Sequence, residues 1–159
     1  MSGGSLSPGL CVMIDDFPKT YNGDLANPPP ALTPLFLCGR WVVWRWEAKN
    51  GRFTKPPCIA TDPRRHAAND RAETWSHPKD AVAAVLAGCA HGIGFALTDS
   101  DYAAIDLDKC RDPESGNIDA WAQDIIDRAS GAYVEVTVSG TGLRVIAPPL
   151  AQRHTASLL

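Results

Sequence analysis

The sequence lacks several features that would assign it quickly. Its five cysteines, Cys11, Cys38, Cys58, Cys89 and Cys110, are scattered, odd in number and form no Cys-x-x-Cys pair. That pattern gives neither a disulfide framework nor a zinc motif, and it suits reduced thiols in a cytoplasm. The four histidines, His66, His77, His91 and His154, show no metal-ligand spacing. No apolar run approaches the roughly 18 residues of a membrane span. The first fourteen residues lack a basic region followed by a long apolar one, so no secretion signal is legible. There is no excess of positive charge either: the net charge is −3, and nothing global argues for nucleic acid.

What is present fits one soluble domain. A chain of 159 residues with 45% hydrophobic and 21% charged residues can bury one core. Charge is unevenly placed. Between Arg40 and Arg71 lie eight basic residues (Arg40, Arg45, Lys49, Arg52, Lys55, Arg64, Arg65, Arg71) against three acidic ones (Glu47, Asp62, Asp70). A basic front and an acidic remainder suit a protein that holds a polyanion with one part and a metal with another. An ordinary solvated face gives the same count.

Residues 1–34, with Pro28-Pro29-Pro30, read as a disordered tail. The domain is expected over 35–150, and 151–159 as a second disordered tail. Trp41 to Trp46 reads as a strand, Asn50-Gly51 as a tight turn, and Arg52 to Lys55 as the returning strand, stopped by Pro56-Pro57. Residues 59–72 read as a loop. A helix should begin at Ser76 or His77, bury Val82, Val85, Leu86 and Cys89, and end at Gly88 or Gly92. Gly92 to Leu97 and Tyr102 to Asp108 read as strands, and the glycines of the first suggest close approach of a backbone or ligand. Asn117 is expected to cap a second helix burying Ile118, Trp121, Ile125 and Ala129, with Gly131 as its stop. Strands should follow at Tyr133 to Val138 and Leu143 to Ala147. The predicted fold is α+β: a mostly antiparallel sheet of hairpins, ββαββαββ, with two helices packed on it.

Two motifs carry chemistry. In Ile105-Asp106-Leu107-Asp108, strand alternation puts Ile105 and Leu107 on one face and both carboxylates on the other. Two such carboxylates repel unless a cation lies between them, which makes Asp106 and Asp108 a candidate Mg²⁺ or Mn²⁺ site. Taken alone, they are as well explained as solvated strand-end residues. In Ser139-Gly140-Thr141-Gly142-Leu143-Arg144, two glycines let backbone N–H groups approach an anion, the hydroxyls add donors, and Arg144 adds a fork matched to phosphate. Most turns of this composition only connect hairpin strands. The tryptophans of 41–46 could stack on bases, although packing in the core explains them more simply.

The order of these elements is more specific than any one of them. Trp41-Val42-Val43-Trp44-Arg45-Trp46-Glu47, the Asn50-Gly51 turn, Lys55-Pro56, Gly92-Ile93-Gly94-Phe95, the Asp106/Asp108 pair and Ser139 to Leu143 follow one another with the spacing of a known family. Residues 35–147 resemble the N-terminal domain of phage and prophage primase-polymerases, members of the archaeo-eukaryotic primase superfamily. The resemblance implies nucleotidyl transfer in phage or prophage replication, in the cytoplasm of a bacterial host. It makes Asp106 and Asp108 metal ligands, and Ser139, Gly140, Thr141, Gly142 and Arg144 the binding turn for nucleotide phosphates. Lys55 would face nucleotide or template. The implied partners are nucleoside triphosphates, a single-stranded DNA template and a helicase domain or protein.

The sequence departs from the family pattern twice. Arg144 stands where the family has histidine; it binds phosphate but gives up no proton near neutral pH. The family's third carboxylate sits on a later strand, yet no Asp or Glu follows Glu135. Glu135 is the remaining candidate, and the chain reads as a C-terminally truncated catalytic domain. That leaves open whether it is an enzyme at all: a non-catalytic nucleotide- or single-stranded-DNA-binding module is the alternative, and a metal-dependent nuclease a weaker one.

Overall fold

The computed structural model describes residues 17–20 and 23–147. Leu10 to Ile14, much of the expected first tail and all of 151–159 lie outside the described residues. A 3-10 turn at Pro30–Leu32 leads into α1 (Thr33–Phe36). Five strands follow: β1 (Trp41–Trp44), β2 (Glu47–Lys49), β3 (Arg52–Thr54), β4 (Pro57–Ile59) and β5 (Asp62–His66). Then come α2 (Pro78–Leu86), β6 (Gly92–Phe95), β7 (Ala103–Leu107), α3 (Ala120–Arg128), β8 (Tyr133–Val136) and β9 (Leu143–Ala147). The fold is α+β with antiparallel strand pairing, as the sequence predicts.

The strands form a four-stranded sheet ordered β5-β4-β1-β6, a three-stranded sheet ordered β7-β9-β8, and a separate ribbon β2-β3. Strand β1 is central to the first sheet because Trp41, Val42 and Val43 are β-branched or aromatic and fully enclosed. Its core gathers Leu32, Leu35, Trp41, Val43, Cys58 and Ile146, so the packed body begins at Leu32, a few residues before Leu35. The second sheet packs Leu107, Leu143 and Val145 against Ala122 of α3, with Cys110 beneath.

Several elements differ from the sequence reading, each for a local reason. Asn50 and Gly51 do supply the positive φ of a tight turn, but the hairpin they close joins β2 to β3. Trp41–Trp44 instead pairs with β4 and β6. Pro57 opens β4 where a stop was expected, and 59–72, expected as loop, contains β5. Polarity misled there, because β5 is a solvent-facing edge strand.

In α2 the buried residues are Ala81 and Ala84, whereas Leu86 is 66% exposed, so the contact stripe is turned by one residue. Small side chains at the contact seat the helix closely on β1 and β6. Gly88 ends it at φ +71. In α3 the N-cap position falls at Asp119, because Asn117 accepts the Asp112 amide through its carbonyl and closes the preceding loop. Trp121 is 49% exposed, and the apolar face is carried by Ala122, Ile125, Ile126 and Ala129.

Candidate functional site

Strand β9 lies between β7 and β8, and its alternation organises the site. Leu143 and Val145 face α3, so Arg144 and Ile146 face the opposite way. Ile146 enters the first core, and Arg144 is the next residue on that face. The register sets Asp106 on one side of Arg144 and Glu135 on the other. A carboxylate–guanidinium–carboxylate row therefore crosses the sheet. Arg144 Nε donates to Asp106 Oδ1 at 2.6 Å, and Nη2 reaches Oδ2 at 3.3 Å. Its Nη1 lies 3.8 Å from Glu135 Oε1. Asp108 follows β7 on the exposed side, and its charge also acts on Arg144. Ile105, expected on one face of the strand with Leu107, is 54% exposed, whereas Leu107 is buried.

The row is electrostatically uneven. The hydrogen bond to Asp106 holds the Arg144 guanidinium above its usual range, against the effect of burial. Burial pushes the Glu135 carboxyl up, while Arg144 and the Tyr133 hydroxyl pull it down and Asp106 adds to the rise. Tyr133 itself is pushed well up, by burial first and the Glu135 charge second. Lys55 is lowered by burial and by repulsion from Arg144. Lys55 and Arg144 thus face one region; Arg144 is already paired with Asp106 and Glu135, and among the described residues Lys55 makes no ion pair, so it is the cation left to meet a phosphate.

That region is a cavity of about 360 Å³ whose walls include Trp44, Lys55, Gly92, Glu135, Thr137 and Arg144. The Lys55 ammonium stands 5.7 Å from the Trp44 ring centre and 5.4 Å from that of Trp46, which steers it by cation–π attraction. The Trp44 ring lies over Gly92, where an added Cβ would fall 2.5 Å from its Nε1. The close approach read from this glycine strand is therefore that of a tryptophan ring, which in turn places Lys55. Trp41 is buried, with its indole N–H donating to the Leu35 carbonyl at 3.1 Å.

The 139–142 turn adjoins the end of β7 outside the cavity walls. An added Cβ at Gly142 would lie 2.8 Å from the Leu107 carbonyl, and Gly140 sits at φ +77. Its amides are occupied: Gly140 N–H donates to the Thr137 carbonyl at 2.8 Å, and Gly142 N–H to Thr137 Oγ1 at 3.2 Å. Arg111 ties the turn down from below, donating to the Gly140 carbonyl at 2.8 Å. The groups turned outward are the hydroxyls of Ser139 and Thr141, 3.0 Å apart. The expected cradle of N–H groups is thus a pair of hydroxyls on a pinned turn.

Lys55, Glu135 and Arg144 come together on one cavity, with Asp106 attached through Arg144. Asp108, Ser139 and Thr141 sit beyond its rim. The sequence reading assigned no role to Tyr133, whose hydroxyl supports Glu135; strand alternation two residues ahead of Glu135 was the available signal. Within the basic window, Arg40 caps the Thr98 and Asp99 carbonyls and Arg45 reaches the Pro63 carbonyl. Arg52, Arg64, Arg65 and Arg71 remain on the surface.

No protein-family model matches the chain. Over 118 residues, 74% of its length, the chain is 31% identical to a DNA primase-polymerase of Nitratiruptor phage NrS-1. The aligned stretch makes up 16% of that protein, so the chain spans about a sixth of this relative. The chain is thus related in sequence to a primase-polymerase. No helix among the described residues is long and apolar enough to cross a membrane.

Proposed function

We propose that the chain carries the nucleotide-binding face of a DNA primase-polymerase and supports metal-dependent nucleotidyl transfer on a single-stranded template. The observation that carries this reading is the cross-sheet row Asp106–Arg144–Glu135, opening with Lys55 onto one cavity, in a chain related to a primase-polymerase. Lys55 and Arg144 take the triphosphate, and the Ser139 and Thr141 hydroxyls contact phosphate or template at the rim.

Asp106 and Asp108 offer the hard oxygen donors that Mg²⁺ or Mn²⁺ requires. Among the described residues, these two and Glu135 do not bring three ligand atoms within 4.8 Å of one another. Arg144 now holds Asp106 where a metal would share it. When bound, the metal would neutralise phosphate charge and activate the attacking hydroxyl. A triphosphate competes with Asp106 for the Arg144 guanidinium, so nucleotide binding releases the carboxylate that holds the ion.

The test is Mn²⁺-dependent nucleotide incorporation on a single-stranded template, compared with Asp106→Ala/Asp108→Ala. The double variant is expected to lose incorporation by at least about a hundredfold. Equal incorporation by both proteins would remove the metal-site assignment. The Asp106–Arg144 ion pair favours a second reading, a nucleotide- or single-stranded-DNA-binding module without turnover. Primer synthesis by the unaltered chain eliminates it.

A further inference from the structure

A different chemical cluster stands outside the cavity. Strands β4 and β5 pair Cys58 with His66 across a register shift, and Glu47 of the β2–β3 ribbon comes up against the same place. One ligand atom from each of the three residues lies within 4.8 Å of the others. The sequence conceals this, because the residues are 11 and 8 positions apart on three strands. We propose that Glu47, Cys58 and His66 form a zinc-binding site that clips the β2–β3 ribbon to the β4–β5 hairpin, with the fourth coordination position taken by water.

The donor set selects the ion. A thiolate, an imidazole and a carboxylate match zinc, whereas magnesium and manganese prefer oxygen alone. Zinc lies about 2.3 Å from sulfur and about 2.0–2.2 Å from nitrogen or oxygen, so tetrahedral ligands stand about 3.3–3.7 Å apart. His66 Nε2 and Glu47 Oε1 are now 2.9 Å apart in a hydrogen bond. Accommodating the ion opens that pair by a few tenths of an ångström, within the reach of two exposed side chains.

Charge and surroundings agree. One thiolate and one carboxylate cancel the charge of the ion. The buried Nε of Arg45 has no hydrogen-bond partner among the described residues. Glu47 and His66 are 43% and 59% exposed and offer the ion an entry path. Cys58 is fully buried, so a thiol nucleophile acting on substrate is the poorer reading of the same residues. The clip also bears on Lys55, which follows β3 directly.

The experiment titrates the purified, metal-stripped chain with Co²⁺ and then Zn²⁺. The expected result is one tetrahedral Co²⁺ per chain, with its visible bands and a thiolate-to-cobalt charge-transfer band, displaced by Zn²⁺. Cys58→Ser should abolish the charge-transfer band. Glu47→Gln and His66→Gln, at exposed positions that spare the fold, should each weaken affinity at least about tenfold, the lower range for disturbing even outer-shell partners. Asp106→Ala should leave it unchanged. A missing charge-transfer band, a band that survives Cys58→Ser, or unchanged affinity in both exposed variants overturns the site. If Cys58→Ser fails to fold, the two exposed variants decide.

Discussion

The two main sheets use similar strands for opposite purposes. In the first, β1 is enclosed by neighbouring strands and α2, and its aromatic side chains close the core. In the second, one face of β9 packs on α3, and the other carries Arg144 between two carboxylates beside the buried Ile146. The first sheet supplies stability and a wall. The second supplies charge, held at fixed spacing because cross-strand neighbours stand about 4.5–5.5 Å apart. Substitutions in one should therefore change folding with little effect on the chemistry of the row, and substitutions in the other should do the reverse.

The strongest way to break that division is Val43→Ala. Val43 lies on β1, fully buried and away from the cavity walls. The change should cost about 2 kcal/mol in a denaturant melt. If the nucleotide affinity of the protein that remains folded also collapses, the sheets are not separable.

Arg144→Gln should do the opposite. A half-exposed ion pair contributes at most about 1 kcal/mol, so stability should hardly move. Nucleotide affinity should fall about tenfold or more, for loss of a charged hydrogen-bond donor. Mn²⁺ affinity should rise, because Asp106 and Glu135 lose the cation between them; equilibrium dialysis of both ligands measures the split. A fall in both affinities would mean that Arg144 positions the row and does not compete for it.

The smallest effect is expected at Glu135. Burial raises its carboxyl, so the folded protein keeps a proton at a pH where the unfolded chain has released it. Its contribution to stability is present at acidic pH and is lost as the pH rises from the ordinary glutamate value through the raised one. Glu135→Gln should flatten that part of the stability curve, by under about 1 kcal/mol after solvent screening. A curve of unchanged shape would place the titration elsewhere.

Much of this was legible in the sequence, for identifiable reasons. Strands β7 and β9 and the end of α2 follow from alternation, glycine and proline, all local signals. The β4–β5 hairpin was lost because an edge strand can be polar, as Asp62–His66 is. The α2 stripe was misplaced because alanine, the residue that permits closest packing, carries little weight in an apolar pattern. The residues of the candidate site were readable, but their pairing was not. That Arg144 would bind Asp106 depends on the register of β7 against β9, which couples residues 38 positions apart.

The strand order β7-β9-β8 also sets a sequence of events. The strand that sits in the middle is the last of the three to be synthesised, so β7 and β8 remain without their common partner until β9 emerges. Such non-local pairing is slow, because loop closure is required before any contact forms. When β9 inserts, it completes the sheet, and Arg144 meets Asp106 and Glu135 in the same step. A nascent chain short of β9 thus carries every acidic group of the row but none of its geometry.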